Sequence, residues 1–341
     1  MPTEPLREAV RLLARRESLS AAQSAAAFRA VMSGDGTPAL IAAMLAALRV
    51  KGETASEIAG AAMALREAMT VLETVDADGL VDTCGTGGGV VGTFNISTAA
   101  ALVAAGAGVR IAKHGNRSFT TKCGSADVLE ALGVAIDIPV DRMAGVLDAA
   151  GIVFMFAPTM HPAMRHVGPV RRELGIETVM NMVGPLANPA RAGRQVIGVS
   201  DPARAELMAS ALAALGTVHS LVVYGEPGMD EISPMGQTAV IEVRGASVAH
   251  WAINPVALGF ETATASQLAG GNPAENAAVV EAVLGGAANA GATAAVLLNA
   301  AAAIYVSGQA PGLGAALAVA RESVSSGNAL AALNRLRSAT R

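Results

Sequence analysis

The chain has 341 residues, which as a prior suggests two domains and enough apolar sequence for a sizeable core. Its formal net charge is −4, and it contains only six Phe, two Tyr and one Trp. A weakly acidic protein with few aromatic residues lacks the basic, stacking surface that nucleic acids bind, so a nucleic-acid partner is not expected.

A membrane protein also has to be considered, because only 15% of the residues are charged. Residues 83–109 and 282–320 contain no charge, but Gly and Asn interrupt both, Pro311 interrupts the second, and much of their apolar content is Ala, so neither is expected to span a membrane. The first residues lack the apolar segment of a signal peptide. The two cysteines fit neither a disulfide framework nor a metal-site spacing, so we expect a cytoplasmic protein.

The first seventy or so residues predict helices and no strand. Ser20 and Thr54 each begin a capping-box pattern, and Thr37 precedes a proline as a helix N-cap does. We therefore predict a small helical domain over residues 1–75, with which the segment 162–190 is expected to pack.

From residue 76 onwards, short apolar strands alternate with helices. The predicted strands are 80–83, 109–112, 153–156, 195–198 and 221–224. This alternation predicts an α/β domain over residues 76–341, with a mostly parallel central sheet covered on both faces. Functional residues of such sheets lie just after the strands, at their carboxyl ends.

A glycine-rich loop, CGTGGG, follows the first predicted strand and leads into a helix near Ser97. Glycines let backbone N–H groups converge, and a helix N-terminus adds positive potential, so the loop could bind phosphate. It lacks the Gly-Lys-Ser/Thr of a Walker loop and the glycine phasing of a dinucleotide fold. A flexible turn is the alternative.

The loop after the second predicted strand, residues 113–122, contains three cationic residues and several hydroxyl groups. Such a concentration is unusual in a charge-poor chain and indicates a second anion site that faces the first. Two such sites predict a ligand with phosphate at both ends.

Two further loops carry charged residues whose role the sequence leaves open. Asp230 and Glu231 are adjacent carboxylates after a strand, which suits Mg²⁺ held by carboxylates, water and substrate phosphates; a solvated acidic turn fits as well. The segment 161–174 contains Arg165, Arg171 and Arg172; an arginine fork suits an aromatic carboxylate, although arginines on a polar helix face are usually only solvated.

Six segments together resemble the anthranilate phosphoribosyltransferases of tryptophan biosynthesis: GTGG…TFNIST, AKHGNR, GSADVLEALG, HPAM…VRRELG, NMVGPLANP and GEPGMDEISP. The resemblance is collinear from about residue 5 to about residue 235 and weaker beyond. KHGNR, GPLANP and the Asp-Glu pair distinguish this family from the pyrimidine phosphorylases. The resemblance implies a nucleoside phosphorylase/phosphoribosyltransferase-like fold, with a helical domain beside an α/β domain, and a homodimer.

The resemblance also implies the binding residues. Those for the donor, phosphoribosyl pyrophosphate, are Gly85, Gly88, Gly89, Thr93, Asn95, Ile96, Ser97, Thr98, Lys113, Ser118, Thr120, Thr121 and Ser125. Those for the acceptor, anthranilate, are Gly85, His114, Asn116, His161, Arg171 and Pro185. Those for Mg²⁺, expected as two ions per subunit, are Ser97, Asp230 and Glu231.

The implied reaction transfers the phosphoribosyl group to the amine of anthranilate and gives N-(5-phosphoribosyl)anthranilate and pyrophosphate. No covalent nucleophile or strong general base is expected. The chain departs from the family at Gly89, where Asp is usual, and at Glu177, where Arg is frequent.

Two alternatives stay open at this stage. The chain could use another acceptor or catalyse nucleoside phosphorolysis, against which Asn116 and Arg171 argue. It could instead be a nucleic-acid-binding relative, against which the net charge of −4 argues.

Overall fold

The computed structural model describes residues 3–118 and 122–341. Its N-terminal part is a bundle of helices: α1 (Glu4–Ala14), α2 (Ala21–Met32), α3 (Pro38–Lys51) and α4 (Ala55–Ala68). Both predicted capping boxes are confirmed, because Ser20 Oγ and Thr54 Oγ1 accept from the third amide of their helices. Thr37 caps α3 in the predicted way.

Seven strands form a single sheet in the order β3-β2-β1-β4-β5-β6-β7. The strands are β1 (Val81–Gly85), β2 (Ile111–Gly115), β3 (Ile152–Phe156), β4 (Arg194–Gly198), β5 (His219–Gly225), β6 (Thr238–Arg244) and β7 (Ser247–Ile253). The first five are parallel and overlap the predicted segments. The chain moves from β1 to β2 and β3 on one side and then returns to β4 on the other, which opens a crevice for ligands at the carboxyl ends of β1 and β4.

The antiparallel hairpin of β6 and β7 is missing from the sequence prediction. A signal was present, since two β-branched runs flank a short turn in which Gly245 has a φ of +57°. Glu242 ties the hairpin to the body of the protein: its carboxylate accepts from Trp251 Nε1 at 2.9 Å and from Tyr305 OH at 2.9 Å.

Helices cover both faces of the sheet. They are α5 (Ile96–Gly106), α6 (Ser125–Ala131), α7 (Val140–Ala150), α8 (Ala157–Met160), α9 (Gly168–Leu174), α10 (Met180–Val183), α11 (Pro202–Ala214), α12 (Ala265–Leu268), α13 (Pro273–Leu284), α14 (Ala290–Ser307), α15 (Leu313–Ser325) and α16 (Asn328–Ala339). Two short 3-10 turns, Pro162–His166 and Val256–Leu258, complete the described elements.

The 18-residue helix α14 is long and apolar enough to cross a membrane, and no other helix in the described ranges passes that test. However, 78% of it is buried inside the fold, where it packs against α5 and α15. A buried core helix has the same length and composition, so this observation is weak evidence for a membrane span.

Apolar side chains form a separate cluster on each side of the sheet. One contains α5 and α14, and the other contains the N-terminal helices and α11. Val170 and Met180, from the segment 162–190, lie in the same cluster as Leu45 of α3 and Ile58 of α4. The segment that carries Arg171 is therefore packed against the helical bundle.

Glu57 is the buried polar centre of that bundle. Its carboxylate accepts from the Leu19 amide at 2.9 Å, the Thr54 amide at 2.8 Å and Lys51 Nζ at 3.0 Å. The Glu57 side chain is 0% exposed and that of Lys51 is 7% exposed.

We expect Glu57→Ala to lower the free energy of unfolding by about 2–4 kcal/mol, because it removes the acceptor of the buried Leu19 amide and the carboxylate partner of the nearly buried Lys51 ammonium group. Urea denaturation measures the change. The control is Glu67→Ala, which removes an ion pair between half-exposed side chains, Arg29 and Glu67, and should cost under about 1 kcal/mol. Equal losses in the two variants would contradict this reading of Glu57.

Candidate active site

The loops after β1, β4 and β5 meet at the carboxyl edge of the sheet. The amide of Gly87 donates to Asp230 Oδ2 at 2.8 Å, and the amide of Thr86 donates to the Gly198 carbonyl at 2.9 Å. The amide of Ser97, in the first turn of α5, donates to Glu231 Oε1 at 3.1 Å. The hydrogen bonds to Asp230 and Glu231 join residues that are 143 and 134 positions apart in the sequence. They bring the glycine-rich loop and the Asp-Glu pair together in one site.

Glycine is required where this edge is most crowded. A Cβ on Gly85 would overlap the Asp230 carboxylate, and one on Gly198 would overlap the Asp230 backbone. Gly87 and Gly88 have φ values of +73° and +81°, which side chains disfavour. A Cβ on Gly89 would lie 3.2 Å from Asp230 Oδ1, so the Asp usual in the family would bring a second carboxylate close to Asp230.

The two adjacent carboxylates disfavour their own charged forms. Burial raises the pKa of Asp230, and burial together with the neighbouring Asp230 charge raises the pKa of Glu231 to about 8. A divalent cation would relieve both effects, so the donor set fits Mg²⁺. No cluster of three or more His, Cys, Asp or Glu occurs within the described ranges, which agrees with an ion that water and substrate oxygens also bind.

Lys113 lies in the middle of β2 and not in the loop after it, where the sequence predicted it, because the strand runs two residues beyond it to Gly115; its side chain is only 2% exposed. Its Nζ donates to the Thr83 carbonyl and lies 3.4 Å from Ser97 Oγ. Burial lowers its pKa, and the charge of Asp82 opposes that shift. The ammonium group therefore places positive charge at the floor of the site, beside the start of α5.

Asp82 was predicted only as part of a strand, but it organises the site. Its buried carboxylate accepts from the His114 amide at 3.2 Å and from Asn188 Nδ2 at 2.8 Å. The same Asn188 nitrogen donates to the Ala112 carbonyl at 2.8 Å. A single charged residue in an otherwise apolar strand is the signal that could have identified Asp82.

The loop after β2 is anchored to α6. The Asn116 carbonyl accepts from Ser125 Oγ at 3.3 Å, and the Ser118 amide donates to Asp127 at 3.3 Å. Gly124 is the N-cap of α6, and Ser125 is the first residue of the helix. Thr120 and Thr121 lie outside the described residues.

Arg117 does not supply a free positive charge to this loop. It pairs with Asp127 at 2.9 Å and Glu130 at 2.5 Å, and its guanidinium lies over the Phe156 ring. Of the three cationic residues that the sequence placed in the loop, Lys113 is the one in contact with Ser97.

Four of the predicted donor residues are buried in the fold or bound to other segments of it. Asn95 Nδ2 donates to the Cys123 carbonyl at 3.2 Å, and Asn95 Oδ1 accepts from Asn276 at 2.9 Å. Ile96 and Thr98 are buried in α5. Thr93 forms an isolated bridge to Ala269, which ties the end of the glycine-rich loop to a distant segment.

Contacts within the fold fix several of the predicted acceptor residues. The rings of His114 and His161 are 4.8 Å apart. Arg171 Nη2 donates to Asn181 Oδ1 at 3.3 Å, and burial lowers the pKa of Arg171. The carbonyl of Pro185 accepts from Gln195 at 2.8 Å, which fixes the turn next to this region.

Both histidines are neutral in the fold. Burial, followed by the neighbouring His161 and Lys113, lowers the pKa of His114 to about 3, and burial lowers the pKa of His161 to about 4. His114 Nε2 is buried without a hydrogen-bond partner in the part of the chain that the structure describes. Positive charge on the acceptor side therefore comes from Arg171.

Two family models match the chain: the glycosyl transferase family a/b domain over residues 77–330 and the glycosyl transferase family helical bundle domain over residues 7–69. Anthranilate phosphoribosyltransferase of Chloroflexus aggregans is 49% identical over 97% of both chains. That of Rubrobacter xylanophilus is 48% identical over 97% of this chain and 96% of its own.

The chain belongs to the anthranilate phosphoribosyltransferase family. Among solved structures of the family, the Thermus thermophilus enzyme superposes with a TM-score of 0.92 at 42% identity, over 98% of this chain and 99% of its own. The Saccharomyces cerevisiae enzyme in complex with PRPP and Mg superposes with a TM-score of 0.89 at 29% identity, over 98% and 97%. The predicted family and fold are confirmed.

The lowered pKa values of His114 and His161 predict how the stability of the fold depends on pH. Both pKa values are lowered below the unfolded value of about 6.5, so the unfolded chain binds more protons at acidic pH and the folded state loses stability as the pH falls below about 6.5. Each histidine contributes up to about 1.4 kcal/mol per pH unit.

We expect His161→Gln to flatten the dependence of the unfolding free energy on pH between about 6.5 and 4.5, measured by urea denaturation at a series of pH values. The control is His250→Gln, which removes a histidine whose side chain is 59% exposed. An equal change of slope in the control, or none in His161→Gln, would contradict the prediction.

Proposed function

We propose that this protein transfers the phosphoribosyl group of phosphoribosyl pyrophosphate to anthranilate, as its family membership indicates. The observation that carries the proposal is the contact of Asp230 and Glu231 with the glycine-rich loop and the start of α5. This arrangement combines convergent amides with a carboxylate pair that suits Mg²⁺, as a diphosphate leaving group requires.

The donor site lies along the glycine-rich loop and the loop after β2. Backbone amides of the glycine loop and the Lys113 ammonium group supply the positive potential for its phosphates. We assign to this site Gly85, Gly88, Gly89, Thr93, Asn95, Ile96, Ser97, Thr98, Lys113, Ser118, Thr120, Thr121 and Ser125. Asn95, Ile96 and Thr98 act by shaping the loop, because their side chains are engaged or buried.

The acceptor site lies on the other side of the β2 end. The guanidinium of Arg171 suits the carboxylate of anthranilate, and the neutral rings of His114 and His161 suit its aromatic ring. Gly85, Asn116 and Pro185 complete our assignment. A structure of the Saccharomyces cerevisiae enzyme in complex with 4-fluoroanthranilate, 28% identical to this chain, supports an aromatic acceptor.

We assign Mg²⁺ to Ser97, Asp230 and Glu231, with two ions per subunit. When bound, the metal neutralises the negative charge that develops on the leaving pyrophosphate. The structure of the Saccharomyces cerevisiae enzyme with PRPP and Mg supports the choice of ion.

The residues of this chain act by binding and orientation. Lys113 and the loop amides stabilise charge on the departing diphosphate, and Arg171 holds the acceptor so that its amine faces the ribose. The nitrogen of anthranilate becomes acidic once alkylated, so its proton can pass to water without a strong base. The neutral histidines agree with a site that carries little charge around the acceptor ring.

Domain boundaries, assembly and location are also part of the proposal. We divide the chain into a helical domain, residues 1–75, and an α/β domain, residues 76–341. The resemblance to the family implies a homodimer, which size-exclusion chromatography with light scattering would test. Neither Cys84 nor Cys123 forms a disulfide in the part of the chain that the structure describes, which suits a cytoplasmic enzyme.

The decisive experiment follows the loss of anthranilate fluorescence in the presence of the purified protein, phosphoribosyl pyrophosphate and Mg²⁺. We expect turnover that stops when EDTA is added and resumes with excess Mg²⁺. Absence of turnover with anthranilate, together with release of pyrophosphate in the presence of another acceptor, would refute the assignment of the acceptor.

We expect Arg171→Ala to raise the KM for anthranilate by about tenfold to a hundredfold and to leave the KM for the donor nearly unchanged, because a charge-assisted pair contributes about 1.5–3 kcal/mol. Steady-state kinetics measures both constants. The matched control is Arg172→Ala, which removes an exposed arginine from the same helix and should leave both constants near the wild-type values. An unchanged KM for anthranilate in Arg171→Ala would locate the acceptor elsewhere.

We expect the double variant Asp230→Asn, Glu231→Gln to lose more than nine-tenths of the activity, a loss above about 1.4 kcal/mol in activation free energy. Its thermal stability without Mg²⁺ should not fall, because the substitutions remove two charges that burial disfavours. Activity and melting temperature are both measured. A double variant that stays folded and active would contradict the metal assignment.

A further inference from the structure

The glycine-rich loop and the turn before α10 meet at one carboxylate, that of Glu177. Glu177 Oε1 lies 3.4 Å from the point that a Cβ on Gly88 would occupy. Ser200 Oγ lies 3.5 Å from the same point and donates to the Gly87 carbonyl at 3.0 Å. The carboxylate therefore lies between the donor loop and the segment that carries Arg171.

Arg204 holds this carboxylate in place. Its Nη2 donates to Glu177 Oε2 at 2.7 Å, and its side chain is only 11% exposed. Arg204 lies in the first turn of α11, where the helix dipole disfavours a cation, so its placement depends on the two nearby carboxylates, Glu177 and Asp201. An ion pair with one partner this buried is held more firmly than one between two exposed side chains.

The turn that contains Glu177 also positions Arg171. The amide of Thr178, the next residue, donates to Asn181 Oδ1 at 3.2 Å, and the same oxygen accepts from Arg171 Nη2 at 3.3 Å. Any shift of the backbone at residues 177–178 therefore moves Asn181 and, with it, the guanidinium of Arg171.

We propose that the ion pair of Glu177 and Arg204 is a clasp that fixes Arg171 relative to the donor loop. Glu177 and Arg204 are positioning residues: they act through the turn and Asn181. The expected effect on the KM for anthranilate rests on the proposed function. The role of the ion pair in holding the turn at residues 177–178 in the unliganded protein does not. Since the family often has Arg at position 177, this device depends on the pair of residues that this chain has at 177 and 204.

The kinetic test uses Glu177→Gln, Arg204→Met and the double variant. We expect each single variant to raise the KM for anthranilate by about threefold to tenfold, with kcat and the KM for the donor within about twofold of wild type. The double variant should be no worse than either single variant, because both lose the same interaction. Additive effects would overturn the clasp.

A charge-exchanged variant distinguishes the proposed ion-pair clasp from a direct effect of the negative charge of Glu177 on the loop at Gly88. Glu177→Arg combined with Arg204→Glu reverses both charges and keeps an ion pair, and we expect the KM for anthranilate to return to within about twofold of wild type. An exchanged variant that is folded but as impaired as Glu177→Gln would overturn the proposal. The matched control is Glu67→Gln: Glu67 is 49% exposed, Glu177 is 47% exposed, and each pairs with an arginine.

Hydrogen–deuterium exchange provides a readout that needs no substrate. We expect the amides of residues 176–182 to exchange faster in Glu177→Gln than in wild type and to be unchanged in Glu67→Gln. Unchanged exchange in Glu177→Gln overturns the clasp whatever the kinetics show, and faster exchange with an unchanged KM overturns its link to Arg171. A wild-type protein that does not turn over anthranilate would instead refute the proposed function, and the exchange result would still decide the clasp.

Discussion

One buried carboxylate, Asp82, connects the parts of the protein that build the site. It is 0% exposed, and burial raises its pKa, which the charge of Lys113 and the bond from Asn188 oppose. A buried charge is tolerated only when such partners surround it. The hydrogen-bond partners of Asp82 come from β2 and from the turn before β4. The formation of these hydrogen bonds therefore also aligns the strand ends from which the ligand-binding loops emerge.

The charges around the crevice are few, and their arrangement separates two chemical environments. Lys113 and the loop amides face the carboxylate pair on the donor side, so anions and cations alternate over a short distance. On the acceptor side that we propose, burial lowers the pKa of His114 and His161 so that both are neutral, and Arg171 is the cation that we assign to the acceptor carboxylate. A chain with only 15% charged residues thereby concentrates its field where a diphosphate must leave.

Features that depend on neighbouring residues could be predicted from the sequence, and features that depend on distant pairs could not. The capping boxes at Ser20 and Thr54 use residues three positions apart, and the glycine-rich loop follows directly from its strand. Arg117 looked like a ligand for anions because its partner Glu130 lies 13 residues away. The pair of Glu177 and Arg204, 27 residues apart, likewise has no signature in the sequence.

The candidate site also contains residues that the sequence could identify and contacts that it could not. The sequence identified Asp230, Glu231 and the glycine-rich loop as candidates, but their contact depends on the strand order, which places β4 and β5 beside β1. Nothing in the sequence connects Asn188 with Asp82 either, since they are 106 residues apart, with two strands and several helices between them. Hydrophobic periodicity identifies the helices and strands. The order of the strands in the sheet decides which loops lie next to one another.

The hairpin of β6 and β7 gives the protein a built-in optical probe. Trp251 is the one tryptophan of the chain, and its indole N–H is bound to Glu242 at the sheet edge formed by β7. That edge lies four strands, or about 19 Å, from β1. The intrinsic fluorescence of Trp251 therefore reports the detachment of this hairpin from α14, away from the glycine-rich loop that follows β1.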